Sequence, residues 1–159
     1  ATPRVPAGLA KALSEAEVEA LLAAVVGDEP VARRDRAMLE VLYGTGVRIS
    51  ELVGLRLGDV DLESGLLRAF GKGSKERVVP LGRLAAAALT AWLGPGGRPA
   101  LVPTRWARRG DAEAVFLNQR GGRLTRQGAW LVVKHWGGVW LMVASRPINV
   151  QPWNRGRLR

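Results

Sequence analysis

Apolar positions recur at helical spacing in the first third of the chain and at strand spacing after it. Val18, Leu21, Leu22 and Val25 share one helix face. Ser14 with Glu17 before that face is a capping-box pattern, so a helix is expected to start at Ser14. A second helix is predicted over residues 31–43, with Met38, Leu39, Val41 and Leu42 facing the core and Gly44 stopping it. A third, short helix is predicted over residues 47–53. Leu66 to Phe70 and Glu76 to Leu81 read as two strands, and Gly71 to Ser74 turns between them, which makes a hairpin. An Ala-rich helix is expected over residues 84–93.

Residues 94–111 carry Gly-Pro-Gly-Gly and Arg-Trp-Ala-Arg-Arg and read as an irregular surface connection. Val115-Phe116-Leu117 reads as a short strand and residues 118–123 as a turn. Thr125 is expected to cap a helix through Lys134. Beyond Lys134 the period fails. Gly137-Gly138, Pro147 and Pro152 are expected to break any long element, so residues 137–159 should be poorly ordered or packed differently from the rest of the domain. The fold class predicted is mostly α with a small β-hairpin, an α+β domain. The organisation is a Pro- and Ala-rich linker over 1–12, a domain over 13–134, and a basic tail over 135–159.

Charge changes this picture from a fold to a partner. The 159 residues carry a formal net charge of +10. Such an excess attracts a polyanion, most simply nucleic acid, with an anionic membrane surface the weaker reading. Every Asp and Glu lies at or before Glu113, so the C-terminal part supplies most of the excess. There is no cysteine and one histidine, His135. That leaves no disulfide, thiolate or cysteine-ligated zinc, and no histidine metal cluster is expected. Leu131 to Val143 is apolar but short and interrupted by Lys134 and His135, whereas a bilayer span needs about 20 apolar residues. A basic-then-apolar export signal is not present, and a cytoplasmic location is expected.

The chemistry concentrates between Gly44 and Arg77. Gly46-Val47-Arg48-Ile49-Ser50-Glu51-Leu52 sets an arginine at a helix start, and Gly71-Lys72-Gly73-Ser74-Lys75-Glu76-Arg77 sets a lysine on a glycine turn. Gly71-Lys72 is not a P-loop, because Gly73 stands where Ser or Thr is needed and the upstream glycine spacing is missing. Arg105, Arg108 and Arg109 cluster beside Trp106. Arg120, Arg123 and Arg126 surround a turn and a helix start, where contact with backbone phosphates is a natural role.

Together with Leu13-Ser14-Glu15-Ala16-Glu17-Val18, Arg34 to Tyr43, and Phe116-Leu117-Asn118 followed by Gly121 to Thr125, these segments resemble the catalytic domain of Xer-type tyrosine recombinases of the phage integrase family. Five pieces in the right order make the resemblance specific over about residues 13–134. It implies DNA strand cleavage and rejoining through a 3′-phosphotyrosine in the intact family, with no cofactor and no metal. By the resemblance Arg48 and Lys72 are catalytic and Glu51 supports Arg48. Lys75, Arg77, Arg120, Arg123 and Arg126 are expected to contact DNA. Double-stranded DNA is the implied partner, with an intact recombinase as a second and no membrane.

The resemblance also sets a limit on this chain. His135 is followed by Trp136-Gly137-Gly138 where the family has His-x-x-Arg, and no tyrosine follows Tyr43. Tyr43 is expected in the core. The chain alone is therefore expected to bind DNA without cleaving it. The alternatives are a non-catalytic DNA-binding regulator or competitor of an intact recombinase, and the inert product of a decayed gene, since a reading-frame change near codon 135 would give such a tail.

Overall fold

The computed structural model describes residues 15–144. Among the described residues there are five α-helices, α1 (Glu15–Ala23), α2 (Pro30–Thr45), α3 (Ile49–Val53), α4 (Arg83–Leu93) and α5 (Arg126–Ala144), and a small sheet. The sheet is β1 (Val60–Asp61), β2 (Leu66–Phe70) and β3 (Glu76–Pro80), antiparallel in the order β1-β2-β3. It is mostly α with a small sheet, as expected. The two-residue strand β1 was not expected; its pairing with Leu66 and Leu67 extends the hairpin by one edge.

The helix α2 is the centre of the core. Ala37, Met38, Leu39, Val41, Leu42 and Tyr43 are buried on it together. Pro30 supplies a preset φ at its first turn, where the missing N–H costs nothing. Gly44 does not stop this helix. It lies inside it and faces α4, where a Cβ would make an ordinary contact with that of Ala85 at 3.8 Å. The stop is Gly46, left-handed at φ 75°, whose N–H returns to the Leu42 carbonyl. On α4, Trp92 is fully buried, stacks on Phe116 with centroids 6.4 Å apart, and donates its indole N–H to the Val115 carbonyl at 3.0 Å. Trp92→Ala would remove one of the largest core side chains, at a cost of about 3–5 kcal/mol.

In the sheet, Leu67 and Ala69 face the core while Leu66 and Arg68 face outward, the two-residue period of a half-buried strand. The hairpin register pairs Leu66 with Pro80 and Phe70 with Glu76. Val115 to Leu117 forms no full strand; isolated bridges join Ala114 to Arg56 and Leu117 to Arg123. Ser14, expected as a cap, lies outside the described residues.

Thr125 caps α5 as expected, accepting the Gly128 N–H on its hydroxyl at 3.0 Å. The expected break after Lys134 does not occur. The helix continues through Gly137-Gly138 to Ala144. A glycine in a helix interior costs about 1 kcal/mol relative to alanine. Packing outweighs that cost: Gly137 is buried, and Trp136 packs on the core and donates its indole N–H to Asp35 at 2.9 Å. The expectation for residues 145–159 falls outside the described residues.

Candidate nucleic-acid interface

Arg48 is the N-cap of α3, two residues beyond the left-handed Gly46 and one beyond the buried Val47. Its backbone N–H donates to Glu51 Oε1 at 2.9 Å, which fixes the first turn and leaves the Arg48 side chain exposed. Glu51 is buried and holds a second element as well. Arg77 on β3 grips it with both arms of its guanidinium, Nε to Oε2 at 3.2 Å and Nη2 to Oε1 at 2.9 Å. Gly71, at the root of the hairpin turn, comes within 3.8 Å of Glu51 Oε2, measured from the Cβ that an alanine there would carry. One carboxylate thus ties the Arg48 helix start to the hairpin that bears Lys72. Burial pulls the Glu51 carboxyl upward, but the Arg77 hydrogen bond, the Arg48 N–H and the charges of both arginines outweigh it and hold it below the ordinary carboxylate value.

Glu51 meets Arg48 through the backbone amide, and its side-chain partner is Arg77, whose side chain stays half-exposed beside the turn. Lys72 and Lys75 are exposed on the turn, where Gly73 (φ 72°) and Ser74 (φ 59°) bend the backbone through left-handed conformations. Sequence reading missed the Glu51–Arg77 pair. Its signal was a buried-side acid on α3 facing the only basic residue of β3.

The second group lies on the turn after Phe116. Asn118 closes this turn by accepting the N–H groups of Arg120 and Gly122 on its side-chain oxygen at 2.9 and 3.0 Å. Arg120 and Arg126 are exposed and Arg123 is half-buried. Arg34, buried on α2, donates to the Leu117 carbonyl at 3.1 Å and pairs with Asp35, which anchors the turn to the core. Tyr43 is buried as expected, and burial pushes its phenol upward. Among the described residues its hydroxyl has no hydrogen-bond partner. No group of three or more His, Asp or Glu among the described residues could hold a metal ion. No described helix is long and apolar enough to cross a membrane.

Residues 11–139 match the model of the phage integrase family. The chain belongs to that family. It is 50% identical over 135 residues to the tyrosine recombinase XerD of Proteus mirabilis, an alignment that covers 85% of the chain and 41% of that protein. The chain thus spans less than half the length of the curated relatives it matches. Among solved structures it is similar to the XerA recombinase, with a TM-score of 0.67 and 25% identity over 86% of the chain and 46% of that one. It is also similar to the XerH site-specific recombinase bound to its difH substrate in a pre-cleavage complex, with a TM-score of 0.65 and 26% identity over 83% of the chain and 37% of that one. The family match takes in Arg48, Glu51, Lys72 and the start of α5 through Val139.

Proposed function

We propose that this chain is a duplex-DNA-binding part of a site-specific tyrosine recombinase, carrying the first arginine and the lysine of its active site, and that alone it binds DNA without cutting it. The observation that supports this most is the Glu51 junction, which holds the Arg48 helix start against the root of the Lys72 hairpin. In strand cleavage the phosphate passes through an anionic phosphorane, and fixed cations stabilise it in the absence of a metal. Arg48 offers a planar fork for two phosphate oxygens and stays charged. Lys72, on an exposed turn, is suited to reach into a groove and protonate the leaving 5′ oxygen. Lys75, Arg120, Arg123 and Arg126 contact backbone phosphates, and Arg77 positions Glu51.

The process proposed is DNA recombination, the activity for which the XerD relatives are named, and we place it in chromosome segregation in the cytoplasm. The single tyrosine of the chain is buried, so no tyrosine hydroxyl stands ready to attack the phosphate. That observation favours a second reading as well, a non-catalytic competitor or regulator of an intact recombinase. The test is a titration of duplex DNA at two salt concentrations, followed by a denaturing gel on a nicked substrate that traps phosphotyrosine. Salt-sensitive binding with no slow-migrating adduct is expected. Binding that does not change with salt would overturn the reading, and an adduct would overturn the claim of inactivity.

A further inference from the structure

The connection between α4 and α5 is long and rich in Gly, Pro and Arg, yet a buried side chain holds it together from inside. Arg98 is buried within it and donates from Nε to the Ala114 carbonyl at 2.9 Å and from Nη2 to the Ala112 carbonyl at 2.8 Å. Its guanidinium carbon lies 5.9 Å from the centroid of the Trp106 ring. One buried cation therefore clamps both ends of the stretch that holds Arg105, Arg108 and Arg109. Those three are exposed, and none has an ion pair among the described residues.

The platform does not stand alone. Gly121 is left-handed at φ 85°, and a Cβ there would meet the Pro103 ring at 2.7 Å. Gly122 likewise faces Asp111, with 3.7 Å between its would-be Cβ and the carboxylate. The Arg120 turn is thus seated against the Arg105 loop. From Arg98 to Arg126 there are seven arginines and two acids, Asp111 and Glu113, and Asp111 is buried. Exposed arginine side chains without acidic partners suit a row of phosphates, because no ion pair has to be broken on contact.

We infer that Arg105, Arg108 and Arg109, with the adjoining Arg120, form a second backbone-contact platform for duplex DNA, separate from the Arg48–Lys72 site. This rests on the DNA-binding reading above. The test uses the full chain, a labelled random-sequence duplex and a salt series. Each lost phosphate contact lowers the slope of log affinity against log salt by about 0.9. The triple variant R105A/R108A/R109A is expected to lower that slope by about 2 to 3 and the affinity by at least about tenfold. Its melting temperature should stay unchanged, because the three side chains are exposed and unpaired. The triple lysine variant should restore most of the binding.

If the native chain binds and the alanine variant keeps its slope, the platform is refuted. If the alanine variant keeps its DNA slope but loses binding to phosphatidylglycerol vesicles, the patch serves a membrane and the inference is likewise refuted. No salt-dependent binding by the native chain would instead refute the DNA-binding reading itself.

Discussion

The indole N–H of Trp136 donates to Asp35 Oδ2 at 2.9 Å, joining α5 to α2 across 101 positions of sequence. The other oxygen of Asp35 accepts from Arg34, which in turn holds the Leu117 carbonyl. A buried carboxylate is stable only when its charge is paired and its oxygens are satisfied, so Trp136 completes an arrangement that Arg34 begins. Replacing Trp136 with Phe keeps a ring and removes the donor. We expect a loss of about 2 kcal/mol, in the range for a hydrogen bond to a charged group. Urea unfolding followed by circular dichroism should show a lower midpoint with an unchanged slope. A midpoint equal to that of the native chain would show that water replaces the indole.

Glu51 gives a pH signature. Its carboxyl is held below its ordinary value of 4.5 in the folded chain. The unfolded chain therefore takes up this proton first as pH falls. The contribution of Glu51 to stability is complete above the ordinary value and is lost as pH drops through the folded one. Glu51→Gln should be less stable at neutral pH and should lose less on acidification. Melting temperatures of both chains across the acid range decide this; parallel curves would refute it. The same substitution should also weaken DNA binding, although Glu51 itself is buried.

The buried Tyr43 hydroxyl lacks a partner among the described residues, and such a group costs about 1–3 kcal/mol. Tyr43→Phe should therefore stabilise the chain by about 1 kcal/mol. Its DNA affinity should match that of the native chain. A destabilised variant would reveal a bond to the hydroxyl, and altered DNA behaviour would place Tyr43 at the site.

Two arginines on either side of α3 separate binding from packing. Arg48 is proposed at the phosphate, whereas Arg56 lies over the Phe70 ring at 5.9 Å and pairs with Asp59 at 3.6 Å. Arg48→Ala should lower the salt slope of DNA binding by about 0.9, and Arg56→Ala should lower it less. Equal slopes for the two variants would remove Arg48 from its assigned role.

Local signals were readable where local physics decides. The glycine turn between two apolar runs announced the hairpin, and Thr125 announced the start of α5. The end of α2 was misplaced by two residues because Gly44 and Gly46 look alike in sequence; only Gly46 takes the left-handed conformation of the cap. The continuation of α5 was hidden because Gly137-Gly138 carries a local penalty that only tertiary contacts reverse. Arg98 could not be singled out among the arginines of its loop, since its distinction is burial against two carbonyls 14 and 16 positions away. At the candidate site, the Arg48 and Lys72 motifs could be picked out in the sequence and Glu51 could be named beside Arg48. Its bond to Arg77, 26 positions on, required coordinates.

The Glu51 junction also joins two ranges of sequence. Its bond to the Arg48 amide spans three positions and is set within α3 alone. Its bonds to Arg77 span 26 positions and exist only where α3 and β3 meet. A change that displaces the hairpin can therefore reach the start of α3 through this one carboxylate.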